Sequence, residues 1–238
     1  MKFNNDLDEN EWLPISDLMS VLMMVFIIIS VFYMLQVNRD KQKIEEIAVS
    51  YNKLQISLYN ELKNEFSNDL LVWNAEIDSV KLSIKFLAPK NLNSTSPKIF
   101  FKPGSSKIEK FGTEILDDFF PRFLKIIYSE KYRGDIEEIR IEGHTSSEWL
   151  KTTLNEDIAY FKNMKLSQDR TRNVLEHVLL KKTNLKEKKW LKKYLTSNGL
   201  SSSKLILNID STENRTASRR VEFRVKTNAE QSLIEIIK

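Results

Sequence analysis

LMSVLMMVFIIISVFYML, residues Leu18 to Leu35, is the stretch that decides how this chain is built. Its only polar interruptions are Ser20, Ser30 and the hydroxyl of Tyr33. As a helix rising about 1.5 Å per residue it covers about 27 Å, and the residues on either side extend it to the roughly 30 Å of a bilayer core. We therefore predict a transmembrane helix over residues 13–37.

The apolar run differs from a cleaved signal peptide in three respects. It is longer than the apolar part of a signal peptide, the segment before it is acidic, and no A-x-A-like cleavage site follows it. We therefore expect one retained membrane anchor. The remaining chain has the composition of a globular protein with room for one core of about 130 to 150 residues. The sequence has no cysteine, which excludes disulfides and thiolate chemistry.

Asp17 lies immediately before the apolar run. An ionised carboxylate costs roughly 2.5 to 3.5 kcal/mol at the centre of a membrane helix and less toward the interface. A carboxylate at such a place usually has a function or a partner, so Asp17 is the first candidate functional residue. The alternative is that Asp17 caps the start of the helix, where the helix dipole favours a negative charge.

The charges that flank the run give a conflicting signal on orientation. One lysine and four acidic residues precede the predicted transmembrane helix of residues 13–37, whereas three basic residues and Asp40 follow it closely. The positive-inside tendency would place the C-terminal part in the cytoplasm. Long translocated domains follow this tendency weakly, and the family resemblance described below favours the opposite orientation.

Residues 38–68 are predicted to form a helical, coiled-coil-like connector. Apolar residues recur there at steps of three and four, which is the spacing of a short heptad seam. They are Ile44, Ile47, Tyr51, Leu54 and Leu58. We expect two copies of the chain to pair along this seam as a homodimer. The alternative is an amphipathic helix that docks on its own domain or on the membrane surface.

Residues 69–238 are predicted to form an α+β domain with the order β-α-β-α-β-β and helices on one face of the sheet. Strands are expected where apolar and polar residues alternate, and helices where apolar residues recur at helical spacing. The predicted strands are residues 80–87, 98–102, 136–141, 205–209 and 219–225. The predicted helices start near Ile108, with an interruption or kink at Pro121, and near Ser167 as N-cap.

Three blocks of this domain resemble the OmpA-like peptidoglycan-binding family, whose pattern is GHTD, N-x-x-LS-x-x-RA and NRRVE. The matching blocks are EGHT at 142–145, NMKLSQDR at 163–170 and SRRVE at 218–222, in the family's order. The resemblance implies a domain that binds the cell wall. The residues it assigns to peptidoglycan binding are Gly143, His144, Thr145, Ser146, Asn163, Leu166, Arg170 and Arg220.

One position departs from the family pattern. In the family, the aspartate after the threonine and the arginine of LS-x-x-R clamp the ammonium and the carboxylate of the peptide's diamino acid. Arg170 keeps the arginine, but Ser146 replaces the aspartate and offers no charge-assisted contact. We expect the ammonium contact to be weakened, or supplied by Glu148 or Asp169. The segment 148–162 is longer than usual and is expected to reshape the rim of the site.

The segment ISDLMSVLMM at 15–24 resembles the stator subunit MotB around its proton-carrying aspartate. Within that superfamily the chain is most similar to the MotB-like subunits of bacterial anti-phage defence complexes. This resemblance implies that Asp17 carries protons through a complex with a MotA-like multi-span ring. Proton-motive force would drive it without a cofactor, with sodium as the other possible ion, and would act on cytoplasmic effectors indirectly.

The same resemblance implies an inner-membrane protein whose residues 1–12 form a cytoplasmic tail and whose C-terminal domain is periplasmic. The alternative function is a passive anchor that ties the membrane to peptidoglycan without conducting ions. Substitution of Asp17 distinguishes the two, because only the first needs its carboxylate.

The sequence gives no support for an enzyme or a metal site. His144 has no second histidine or cysteine nearby, and no nucleophile and base are spaced as a triad. The lysine-rich run from Lys181 to Lys193 favours a solvated helix face or loop over a surface for wall polymer, lipid or nucleic acid. Direct nucleic-acid binding is not expected, because the run lacks interleaved aromatics beyond Trp190 and no recognised nucleic-acid-binding fold is present.

Overall fold

The computed structural model describes residues 9–89, 99–149, 155–181 and 184–228. Contacts within the chain define two compact units, one containing the chain up to Ser50 and one comprising residues 51–230. The first helix, α1 (Glu9–Phe66), contributes residues to both units.

Helix α1 carries the predicted membrane segment. From Ile15 onward it is long and apolar enough to cross a membrane, and within the described ranges it is the one helix with this property. Its large apolar side chains between Ile15 and Val37 are exposed. A helix that is apolar on all sides requires lipid or another protein around it. The structure thus confirms the predicted N-terminal apolar helix.

The second unit is built on a sheet of five described strands in the order β1-β2-β5-β3-β4. The β3–β4 pair is parallel and the other three pairs are antiparallel. The strands are β1 (Ala75–Asp78), β2 (Ser83–Leu87), β3 (Ile136–His144), β4 (Leu195–Gly199) and β5 (Arg220–Thr227). The last strand lies in the middle of the sheet, which brings His144 opposite Arg220 and Glu142 opposite Glu222.

Five further helices are described in this unit, and aromatic side chains fill its core. The helices are α2 (Leu70–Trp73), α3 (Lys110–Ile127), α4 (Glu156–Lys181), α5 (Leu185–Tyr194) and α6 (Arg215–Ser218). Phe119 and Phe123 of α3 contact Phe223 of β5, with ring centroids 5.0 and 6.1 Å apart. Helix α3 runs through Pro121 without the predicted interruption, and the alternative of a kink there stays a prediction.

The last turns of α1 fold together with this core. Leu58, Leu62 and Phe66 are fully buried, and the Phe66 ring lies 5.2 Å from that of Phe119. At Leu58 the apolar seam therefore packs on the chain's own domain, which is the second of the two interpretations. The side chain of Tyr51 lies outside the described residues. For the part of the seam before Tyr51, pairing of two copies stays a prediction.

A mixed α+β domain is confirmed, but several elements differ from their predicted positions. Phe101 forms an isolated bridge with Ile108, and Leu207 one with Glu213, where longer strands were expected. Strands β1 and β4 were missed because both are short and neither alternates strongly. Residue 98, the first residue of the predicted strand 98–102, lies outside the described residues.

The predicted N-cap at Ser167 is wrong. Helix α4 begins at Glu156, so Ser167 lies in its interior. Its hydroxyl donates to the carbonyl of Met164 at 2.9 Å and accepts from the backbone N–H of Ser201 at 3.1 Å. The serine therefore links α4 to the segment after β4, a tertiary contact that local sequence signals cannot distinguish from a cap.

Candidate functional site

A cavity of about 190 Å³ lies at the ends of β3 and β5, beside α4. The order of the sheet and the passage of α4 bring three distant blocks of sequence to this place. All eight residues predicted to bind peptidoglycan line the cavity: Gly143, His144, Thr145, Ser146, Asn163, Leu166, Arg170 and Arg220. Their role in binding remains a prediction.

Two glycines allow α4 to approach the strand ends. A Cβ atom at Gly143 would lie 2.7 Å from Cγ2 of Thr171 and 2.9 Å from the carbonyl oxygen of Ser167. A Cβ atom at Gly199 would lie 2.3 Å from the backbone nitrogen of Gln168. These distances leave no room for a side chain, so the two glycines are needed for the close packing that places Arg170 at the cavity.

Asn163 holds the loop that follows β3. It is buried, and its Nδ2 donates to the carbonyl oxygens of Ser146 at 3.1 Å and Glu148 at 3.3 Å. The backbone N–H of Thr145 donates to the carbonyl of Ser201 at 2.9 Å. Asn163 therefore positions the rim of the cavity, since its amide nitrogen is engaged by the loop.

Arg170 presents a guanidinium whose charge no described carboxylate neutralises. Its Nε and Nη2 donate to the carbonyls of Ser105 and Lys102 at 2.9 and 3.0 Å, and it lies 4.9 Å from the centre of the Phe101 ring. Burial, and then the positive charge of Arg219, lower the pKa of Arg170 to about 10. An anionic ligand group would relieve this excess of positive charge.

A buried network of charges lies under the cavity. Nε2 of His144 is 3.5 Å from Oε2 of Glu142 and 3.5 Å from Oε1 of Glu222. Arg220 donates from Nε to Glu222, and the hydroxyl of Ser83 donates to the other oxygen of Glu222 at 3.1 Å. Burial alone would raise the pKa of Glu142, but His144 and nearby arginines hold it below its ordinary value.

Within this network, Glu142, His144 and Glu222 form the group of side chains among the described residues that has the spacing of metal ligands. One donor atom each of Glu142, His144 and Glu222 lies within 4.8 Å of the others. Arg220 contacts one carboxylate, and Arg224 lies 3.9 Å from the other. Because two arginines already balance the two carboxylates, this arrangement favours a structural network that joins β3 to β5 over a cation site.

Sequence reasoning missed the two glutamates of this network. They are far apart in the chain and become neighbours only through the register of β3 and β5, which pairs Glu142 with Glu222. One available signal was the alternation of side chains along a strand, which places Glu142 with His144 on one face, and Arg220 with Glu222 likewise.

Of the two residues predicted to replace the missing aspartate, the structure places one at the cavity. Glu148 lines it, and its Oε2 lies 3.0 Å from Nη1 of Arg215. Asp169 does not line the cavity and pairs instead with Lys165 at 2.7 Å. Arg215 and Arg219 were not among the predicted site residues.

Asp17 lies in the other unit, on α1. The helix begins at Glu9, roughly two turns earlier, so the interpretation of Asp17 as a helix cap is wrong. Its side chain is exposed and has no hydrogen bond or ion pair with any residue that the structure describes. The neighbouring Ser20 donates to the carbonyl of Ser16 at 2.9 Å. The carboxylate of Asp17 is thus available to another molecule.

The apolar helix, the mixed sheet and the cavity lined by the three sequence blocks define a protein with one candidate membrane helix followed by an α+β domain. The chain is 45% identical over 232 residues to Zorya protein ZorB of Escherichia coli, an alignment that covers 98% of this chain and 94% of that one. The chain therefore belongs to the ZorB family.

Other comparisons give more distant likenesses. A putative MotB-like protein from Desulfovibrio vulgaris is 21% identical, with 77% of this chain and 94% of that one covered and a TM-score of 0.47. The periplasmic domain of Helicobacter pylori MotB is 22% identical, with 65% and 83% covered and a TM-score of 0.39. No family model matches the chain.

Proposed function

We propose that the chain is the MotB-like stator subunit of an inner-membrane anti-phage defence complex. In this proposal Asp17 carries protons, or sodium ions, and the domain of residues 51–230 holds peptidoglycan. The observation that carries the proposal is the exposed carboxylate of Asp17 within an apolar helix, which has no partner among the residues that the structure describes. Membership of the ZorB family supports it.

The position of Asp17 requires a partner from outside the chain. A carboxylate at membrane depth is costly unless it faces a protein interior or a water-filled path. The described residues of the chain provide neither, so a MotA-like ring of membrane helices, here ZorA-like, is the partner we propose. Two copies of Asp17 in a homodimer would bind and release protons in turn, each proton releasing roughly 2.3 kcal/mol per 100 mV of membrane potential.

The cavity supplies the other half of the proposed function. Arg170, whose guanidinium pairs with no described carboxylate, is free to bind a carboxylate of the wall peptide, and aromatic residues of the cavity offer apolar contact to the rest of it. A dimer held by the wall stays fixed while the partner ring moves around it. The proposal places the N-terminus in the cytoplasm and the domain in the periplasm, and it has the moving ring act on cytoplasmic effectors.

Wall binding is tested by co-sedimentation of the full-length protein, in detergent, with purified peptidoglycan sacculi. We expect Arg170→Ala to lower the sedimented fraction about tenfold, because a charge-assisted contact is lost. Arg172→Ala is the matched control, since Arg172 is exposed on the same helix and does not line the cavity. Equal sedimentation of wild type and Arg170→Ala would contradict the assignment of this cavity.

Ion flow is tested in cells that express the chain with its multi-span partner. A pH-sensitive fluorescent protein in the cytoplasm reports proton entry after phage exposure. We expect Asp17→Asn to abolish the signal and Ser30→Ala, an exposed position on the same helix, to leave it unchanged. Proton entry that survives Asp17→Asn would leave the chain as a passive wall anchor.

A further inference from the structure

We propose that the cavity recognises wall peptides by a carboxylate and does not discriminate between a free and an acylated side-chain amine. The inference rests on the proposed peptidoglycan binding and concerns the chemistry of that same site. It follows from the arrangement of three arginines and one glutamate at the cavity, together with the contacts of that glutamate.

Positive charges outnumber negative ones in the described lining of the cavity. Its described lining contains the guanidinium groups of Arg170, Arg219 and Arg220 and a single carboxylate, that of Glu148. Arg220 is neutralised by its contact with Glu222 beneath the cavity. Arg170 and Arg219 have no described carboxylate partner, and after burial the positive charge of Arg219 lowers the pKa of Arg170. The cavity is therefore a receptor for an anionic group.

The single carboxylate is already paired. Arg215 lies 3.0 Å from Glu148 and 3.9 Å from Glu213, so it bridges two acidic side chains. Glu213 is held in turn by the loop after β3, because the backbone N–H of Ser147 donates to it at 3.0 Å. Arg215, whose side chain is 56% exposed, thus pairs with both carboxylates, and Glu148 has a cationic partner before any ligand binds.

A ligand ammonium gains little from Glu148 as a result. To reach that carboxylate it must displace Arg215, which exchanges one ion pair for another. Arginine also pairs with carboxylates through a planar group of several donors, which a single ammonium cannot reproduce. At the neighbouring position, Ser146 carries no charge that could bind the ammonium instead. A free amine therefore adds little to affinity at this cavity.

An acylated amine is compatible with the remaining lining. Phe100, Phe101, Pro103 and Trp149 supply apolar and aromatic surface close to the arginines. An amide formed on the amine, as in a cross-linked stem peptide, has no charge to desolvate, so its contact with this surface costs less than that of an ammonium. The cavity should therefore accept cross-linked and uncross-linked wall peptides alike.

The test uses the full-length protein in lipid nanodiscs and two wall-peptide fragments. Both fragments end in a diamino acid with free carboxylates, and one has its side-chain amine acetylated. For the wild type we expect dissociation constants within about threefold of each other. Arg215→Ala should favour the free-amine fragment about tenfold, because it releases Glu148, and the added substitution Glu148→Gln should remove that preference. Arg172→Ala serves as the matched control and should leave the ratio unchanged.

The outcomes separate this inference from the function on which it rests. Binding of both fragments, with the free-amine fragment more than about tenfold tighter to the wild type, overturns the inference and leaves wall binding intact. An unchanged ratio in a folded Arg215→Ala variant also overturns it. Absence of binding by both fragments overturns the proposed wall binding and the inference together.

Discussion

Asp17 and Glu222 are carboxylates placed among apolar residues, yet their surroundings differ in almost every respect. Asp17 is exposed on α1 and has no polar partner among the described residues. Glu222 is 1% exposed and receives hydrogen bonds from Arg220 and Ser83, with His144 3.5 Å away. Glu222 therefore has its polar partners within its own domain, whereas Asp17 can gain one from another molecule.

This difference separates function from stability along the chain. A charge that is satisfied internally contributes to folding, and removal of one member of its network leaves the others buried and unpaired. A charge without an internal partner contributes little to the free energy of folding. Its removal should change activity only when the partner molecule is present. Substitutions at the two sites should therefore give opposite results in unfolding and activity measurements.

The largest effect on stability is expected from Glu222→Ala. It leaves Arg220 buried without its carboxylate, which should lower the free energy of unfolding by about 3 to 5 kcal/mol. Urea unfolding of the full-length protein in detergent, followed by tryptophan fluorescence, measures this. Asp17→Asn in the same assay should leave the transition where it is. Equal destabilisation by the two substitutions would break the comparison.

The next effect concerns where the second unit begins. Leu62 on α1 is fully buried in the core of the domain, so Leu62→Ala should lower the free energy of unfolding by about 2 to 5 kcal/mol. Ile56 lies on the same helix and is 59% exposed, so Ile56→Ala should change the free energy of unfolding by less than about 0.5 kcal/mol. If both variants unfold like the wild type, the end of α1 is not part of the domain core.

These last turns of α1 also show where sequence reasoning reaches its limit for the fold. The long apolar run and the amphipathic pattern of α3 are local signals, and both regions are helical, although α3 runs through Pro121 without the predicted interruption. The seam that includes Leu58 is equally local, but its spacing does not reveal whether a second copy or the chain's own domain covers it. Strand β4, with the sequence LTSNG, has no alternation that could have predicted it.

A smaller effect is expected at the packing of α4 on the strand ends. Gly199→Ala would place a Cβ atom 2.3 Å from the backbone nitrogen of Gln168. This backbone atom belongs to α4 and cannot move aside as the end of a flexible side chain could. We expect about 1 to 3 kcal/mol of destabilisation. Gly134→Ala is the matched control, because a Cβ atom there meets nothing within 4 Å. A Gly199→Ala variant as stable as Gly134→Ala would show that α4 lies farther from the sheet.

The smallest effect is a dependence of stability on pH that arises from Glu142. The folded protein holds the pKa of this carboxyl below its ordinary value of 4.5. Its contribution to stability is therefore present above that value and is lost as the pH falls through the lower, folded-state pKa. Between about pH 7 and pH 3, Glu142→Gln should lose less stability than the wild type. An identical loss in both proteins would contradict the lowered pKa.

The candidate site was predictable to the extent that short motifs encode it. The three blocks around His144, Arg170 and Arg220 could be read from the sequence, and the structure brings them to one cavity. Their partners could not be read in the same way. Glu222 reaches His144 through strand register, and Arg215 reaches Glu148 through a contact between α6 and the loop after β3. Such contacts depend on tertiary packing, which residue spacing alone does not specify.

The central claim is that Asp17 acts through a partner outside the chain. Its most direct test is protection against phage in cells that express the intact system with either the wild-type chain or Asp17→Asn. Membrane levels and co-purification of the multi-span partner are measured in both. We predict that Asp17→Asn removes protection entirely while the complex still assembles. Full protection by an assembled Asp17→Asn complex would contradict the claim and leave a passive wall anchor.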